Sequence, residues 1–249
     1  MKILISYAFC TRGGVETALY NRLKELDKKQ LEVDLHFFRD YGGYTLFDDY
    51  DGGEVIVQSD AETLQTVIRD KKYDAVISID TVEMLKILRA MGYRGKIGLE
   101  VHTTYAQNLK YLEDRIIDIV DFVLVPSKYQ KELIQDVLAH KKIYVLGNAV
   151  SDCITYHKES IAKDRKKIIL WVGRIDQHKN WRLFLKIACE LYKTDKNYLF
   201  WIVGGLKSET SSRIIVPSAF LISTNGTVLA SGSLSKKLRF AYVVSSPLR

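Results

Sequence analysis

Ile168-Ile-Leu-Trp-Val-Gly-Arg-Ile-Asp-Gln-His-Lys-Asn180 is the stretch that decides the fold. Five apolar residues in a row have the length and composition of a strand buried on both faces. Gly173 ends the run, Arg174 and Lys179 stand in the turn, and the spacing from Asn180 onward is helical. A helix start offers unpaired N–H groups and roughly half a positive charge, and a guanidinium with an ammonium can grip the same diphosphate. Arg174 and Lys179 are therefore the expected phosphate ligands. An early counterpart runs from Lys2-Ile-Leu-Ile-Ser-Tyr7 through Arg12-Gly13-Gly14 into Val15-Glu-Thr-Ala-Leu19. Gly13 and Gly14 let a phosphate or sugar come close to the backbone there. Two such strand-loop-helix sites predict a ligand held between two domains.

Between and around them, strand patterns alternate with helical ones, which predicts a parallel sheet covered by helices on both faces. Strands are expected at 2–7, 31–38, 54–58, 74–79, 96–101, 121–125 and 142–146, then at 168–172 and 199–203. Helices are expected at 15–26, after a Ser59-x-x-Glu62 capping box, at 128–138 behind Ser127, and at 180–192. The periodicity lapses from Ser151 to Lys167. The expected organisation is a Rossmann-like domain at 1–150, a linker at 151–167, the start of a second Rossmann-like domain at 168–205, and a Ser-rich basic tail at 206–249.

The chain has 249 residues and a formal net charge of +7. Six cations stand against the single acid Glu209 after Gly205, which is +5 and leaves +2 for the rest. The bulk of the chain is thus nearly neutral, and no nucleic-acid partner is expected. Runs such as Lys28-Lys29, Lys71-Lys72 and Arg165-Lys-Lys167 read as solvated faces, with contact to anionic lipid headgroups as the alternative. No apolar run reaches the ~18 residues of a membrane span. Cys10, Cys153 and Cys189 are odd in number and far apart, so neither a disulfide framework nor a zinc site is expected, and a reducing cytoplasm fits best.

Several motifs in the same order resemble those of the retaining glycosyltransferases of family 4, which have the GT-B architecture of two Rossmann-like domains. They are Gly13-Gly14-Val-Glu16, Glu100-Val-His102, Val125-Pro-Ser127, Val145-Leu-Gly-Asn148 and Val172-Gly-Arg174 with Lys179-Asn180. The resemblance covers residues 1–205. It implies a hexosyltransferase-like enzyme that is metal-independent, uses no cofactor, and takes a nucleoside-diphosphate sugar as donor and a growing glycan or lipid-linked sugar as acceptor. It places the acceptor mainly on the first domain and the donor mainly on the second, and makes His102, at a strand's carboxyl end, the residue facing the donor sugar. Glu16 reads either as a site residue or as a helix-start charge.

The chain also departs from the pattern. The family's pair of glutamates spaced E-x7-E has no counterpart, because Glu209 is the last carboxylate. Asn148-Ala-Val-Ser-Asp152 replaces the usual Asn-Gly-Val-Asp. A C-terminally truncated member with impaired transfer is the expectation. The alternatives are a non-catalytic sugar-nucleotide-binding remnant, and a dinucleotide-dependent oxidoreductase or epimerase, which the lack of G-x-G-x-x-G disfavours. Asp49-Tyr-Asp51 could hold a divalent ion on a diphosphate, but it lies in a Gly/Tyr-rich loop whose Tyr41, Tyr44, Phe47 and Tyr50 read as an acceptor surface.

Overall fold

Short Val/Ile/Leu runs buried on both faces need a helix layer on each side, and the first unit is built that way. The computed structural model describes residues 1–150 apart from 12, 28–30, 58–59 and 105, together with 167–173, 179–195, 197–203, 230–233 and 239–243. Contacts divide the chain into two units, Met1–Tyr156 and His157–Arg249.

The first unit runs β1 (Lys2–Cys10), α1 (Gly14–Asp27), β2 (Glu32–Asp40), β3 (Val55–Val57), α2 (Ala61–Lys71), β4 (Ala75–Ile79), α3 (Glu83–Ala90), β5 (Lys96–Glu100), α4 (Ala106–Leu109), β6 (Phe122–Val125), α5 (Lys128–Ile134) and β7 (Lys142–Val145). The sheet order is β3-β2-β1-β4-β5-β6-β7, and every neighbouring pair is parallel. The chain therefore winds outward from β1 to β3, returns, and winds the other way from β4 to β7. Between β1 and β4 the connections diverge, and at such a switch point the ligands of open sheets bind in the crevice beyond the carboxyl ends of the strands.

Side-chain alternation along β1 divides the core in two. Ile3 and Ile5 pack with Leu19 and Leu23 of α1, whereas Leu4 packs on the opposite face with Leu64 and Ile68 of α2. A buried carboxylate ties the far edge together. Asp34 is 1% exposed and accepts from Lys71 Nζ at 2.8 Å, the Glu54 N–H at 2.7 Å and the Tyr73 hydroxyl. Burial opposes its charge, but the bonds from Lys71 and Tyr73 outweigh it and hold the carboxyl below its usual range.

Some boundaries differ from expectation. Asp60 caps α2 by accepting from the Thr63 N–H at 2.8 Å, so the cap stands one residue beyond Ser59, which lies outside the described residues. Ser127 caps α5 through the Gln130 N–H at 3.1 Å, but the helix ends at Ile134, and turns carry the chain on to a buried Leu138.

In the second unit, β8 (Lys167–Val172), α6 (Trp181–Thr194) and β9 (Tyr198–Val203) are followed by β10 (Ala230–Ser233) and β11 (Arg239–Val243). β8, β9 and β11 are mutually parallel in the order β10-β11-β9-β8, and β10 pairs antiparallel. Ala188 of α6 and Phe200 of β9 form the centre of its core. The tail thus contributes two strands: Arg239-Phe-Ala-Tyr-Val243 carries an apolar, aromatic run, whereas Ala230-Ser-Gly-Ser233 contains no β-branched residue to announce it.

The first unit closes its own sheet and both of its cores, so limited proteolysis should leave a resistant fragment ending near residues 150–167. A resistant core running unbroken through that stretch would show that the two units fold as one.

Candidate functional site

β1 delivers the chain to the crevice, and α1 starts four residues after the strand ends. Glu16 closes the turn between them. It is 2% exposed, and its Oε1 accepts from the Thr11 N–H at 2.8 Å and from the Thr11 hydroxyl. A carboxylate in the first turn also suits the helix dipole. Glu16 therefore has a structural task in shaping this loop. Gly13 is required by the same arrangement, because a Cβ there would meet Glu16 Oε2 at 2.7 Å and Thr11 Oγ1 at 3.0 Å. Gly14 is different: a Cβ there would meet nothing within 4 Å, so the first turn of α1 is open to an approaching group. The loop after β2 packs on this turn from the other side. Gly43 has no room for a side chain, since its Cβ would lie 2.3 Å from the Thr11 carbonyl oxygen.

Across the crevice, β4 and β5 bring four more groups together. Glu100 ends β5 and is 2% exposed. Arg22, from α1, donates to its two oxygens at 2.8 and 2.7 Å in a bidentate pair. His102 Nε2 lies 2.7 Å from Glu100 Oε1, the oxygen that also accepts from Arg22 Nη2. Burial works against the charge of Glu100, but the bonds from Arg22 and His102 prevail and hold its pKa down to about 2. Beside them Asp80 has φ +48, a left-handed conformation that non-glycine residues seldom adopt. Its carboxylate accepts from the His102 N–H at 2.9 Å, the Thr103 N–H at 3.4 Å and the Tyr111 hydroxyl at 3.5 Å. Burial is the largest influence on Asp80 and raises its pKa.

Gly13, Gly14 and His102 thus share the carboxyl edge of one sheet. In the second unit, Lys179 stands two residues before α6; the Trp171 Nε1–H donates to its carbonyl at 3.1 Å, and its Cγ lies 3.4 Å from where a Cβ on Gly173 would be. The stem of Lys179 therefore folds back over the end of β8. Arg174 lies outside the described residues.

Arg22 and Asp80 were not foreseen. A carboxylate at the end of a buried strand signals the need for a cation, yet nothing in the spacing selects Arg22, which reads as part of the polar face of α1. Asp80 has no sequence signal beyond standing at a strand end. Two aromatic assignments are corrected. Phe47 is 3% exposed and packs on Phe37 and Tyr20, and the Tyr50 hydroxyl donates to the Val33 carbonyl at 2.6 Å, so neither faces an acceptor. Tyr41 and Tyr44 are exposed, and Tyr41 stands 5.9 Å from Phe9. The Asp49 carboxylate is engaged by the Tyr20 hydroxyl at 2.7 Å and lies 3.6 Å from Lys24 Nζ. Burial pushes the Cys10 thiol up to about 12, so it packs as a protonated core residue. Among the described residues, no helix is long and apolar enough to cross a membrane.

No protein-family model matches the chain, and no curated protein matches it in sequence. Solved structures do match its fold. The lipopolysaccharide outer core galactosyltransferase WaaB, in its apo form, superposes with a TM-score of 0.59 at 19% identity, covering 82% of this chain and 61% of its own. Anabaena Alr3699/HepE in complex with UDP-glucose gives a TM-score of 0.62 at 14% identity, with the same coverage of 82% and 61%. UDP-GlcNAc 2-epimerase from Neisseria meningitidis, bound to UDP-GlcNAc, gives 0.50 at 16% identity, covering 83% of this chain and 66% of its own. The chain spans about three fifths of the length of the first two. The fold class is accordingly α/β of the GT-B type, with Rossmann-like parallel sheets.

The Glu100 cluster predicts an acid signature. A carboxyl held at about 2 instead of 4.5 contributes on the order of 3 kcal/mol that is complete above the unfolded value and lost as pH falls through the folded one. Acid unfolding should therefore steepen between those two values, and Glu100→Gln should flatten that part of the curve. An identical acid limb in the variant would contradict the assignment.

Proposed function

We propose that this chain serves glycosyl transfer from a nucleoside-diphosphate sugar to a glycan or lipid-linked acceptor, with retained anomeric configuration and without a metal or other cofactor. The observation that carries the reading is a histidine fixed by a buried carboxylate at the carboxyl edge of a wound sheet, in the fold of a protein solved with UDP-glucose. His102 would face the donor sugar. Gly13 and Gly14 would let the donor approach the first turn of α1, whose N–H groups suit phosphate oxygens. Arg174 and Lys179 would meet the charge that builds on the departing diphosphate, which fixed cations stabilise without reorganisation.

The family 4 resemblance and the division into acceptor and donor domains belong to the same reading. So do a cytoplasmic setting and contact of the cationic runs with anionic lipid near a lipid-linked acceptor. A second reading, epimerisation of a UDP-sugar, is favoured by the fold likeness to the Neisseria enzyme. The products decide between them: transfer yields a new glycoside, and epimerisation yields an isomerised sugar without one.

Calorimetry with UDP and UDP-glucose tests the donor site. Arg174→Ala should remove a charge-assisted bond and weaken binding by about 10- to 100-fold. Unchanged affinity would exclude Arg174 from the site.

The open space at Gly14 makes a second, sharper test. Gly14→Ala should not lower the melting temperature, because its Cβ meets nothing in the free chain and alanine favours the helix, but should weaken UDP-glucose binding by obstructing close approach. Equal affinity in wild type and variant would remove Gly14 from the donor contact.

A further inference from the structure

Glu100 and Arg22 do more than satisfy each other's charge. An ionised carboxylate only accepts hydrogen bonds, so the 2.7 Å contact with His102 requires a proton on Nε2. In the neutral ring the proton-free atom is then Nδ1. The ring has little freedom to turn, with its side chain 9% exposed and its backbone N–H donating to Asp80 at 2.9 Å. Glu100 is itself held by both terminal nitrogens of Arg22. The chain Arg22, Glu100, His102 therefore specifies which ring nitrogen is presented and where.

We propose that Glu100, held by Arg22, is the positioning residue of His102, fixing the Nε2–H tautomer so that Nδ1 accepts a hydrogen bond from a hydroxyl of the bound sugar. The sugar half of this statement rests on the glycosyl-transfer reading; the tautomer half stands on geometry alone. The arrangement favours a ligand that donates a hydroxyl proton at this point. A phosphate oxygen or an ether has no proton to offer there, so the site selects the sugar end of a donor.

Long-range proton–nitrogen spectra of histidine-labelled protein read the tautomer directly, without a ligand. His102→Gln identifies the His102 signal among the five histidines. At a pH where the ring is neutral, the wild type should show only the Nε2–H form. Glu100→Gln, whose amide can donate as well as accept, should show a mixture. The same variant should lower kcat with UDP-glucose by about 10- to 100-fold, the usual cost of losing an orienting partner, with little change in donor KM. The double variant Arg22→Met with Glu100→Gln removes both charges and keeps the test available if the single variant fails to fold. An Nδ1–H tautomer in the wild type, or an unaltered tautomer in both variants, would overturn the positioning role. A wild type that holds the Nε2–H form yet binds neither UDP nor UDP-glucose would uphold that role and count against glycosyl transfer instead.

Discussion

Glu100 carries its charge at 2% exposure, and the crevice depends on how that charge is met. A buried carboxylate without a partner costs several kcal/mol, and here the partner comes from a different layer. α1 follows β1, whereas Glu100 ends β5, two strands away across β4. The bidentate pair therefore spans the point where the winding reverses. It ties the helix on one side of the crevice to the strand on the other. His102 takes its orientation from that pair, and the loop shaped by Glu16 stands at the start of the same helix.

Asp80 occupies the strand between them, and its left-handed backbone is of a kind that costs on the order of 1–3 kcal/mol and persists only where surroundings enforce it. The enforcement is visible. Its N–H donates to the Glu100 carbonyl at 2.9 Å, while its carboxylate accepts from the His102 and Thr103 N–H groups. These bonds bind the turn after β4 to the segment after β5, so the two strand ends move as one piece. A relaxed backbone at Asp80 would break them and free the His102 main chain.

The order of elements was legible because the two periodicities are strong: every expected strand exists, and α1 and α6 match to within two residues. The motif residues Gly13, Gly14 and His102 could be placed at strand ends from pattern alone. What could not be read is pairing across the sheet. Arg22 meets Glu100 over 78 positions, and Asp34 gathers Lys71 and Tyr73 from 37 and 39 positions away. Such partners follow from strand order, which a local pattern does not encode. Phe47 was misplaced for the opposite reason: a Gly/Tyr-rich loop looks exposed, yet the Asp40 carboxylate accepts from Gly42 and Gly43 at 2.9 and 3.0 Å and folds the segment back. That fold lets Phe47 reach Phe37 in the core.

The crevice of the first unit has a chemical bias of its own. Glu100 and Asp80 are carboxyl groups, Arg22 spends both terminal nitrogens on Glu100, and His102 in the tautomer set by Glu100 offers an acceptor. The β4–β5 side is thus rich in acceptors and poor in uncommitted positive charge, which repels a phosphate and suits hydroxyl donors. The open first turn of α1 at Gly14 has the opposite character, with N–H groups and the positive end of a dipole. A ligand that is a polyhydroxylated ring at one end and a diphosphate at the other satisfies both. Under the proposed reaction this division has a consequence for catalysis. Breaking the sugar–phosphate bond leaves positive charge on the ring and negative charge on the departing oxygens, so each half of the crevice is matched to the charge that develops beside it.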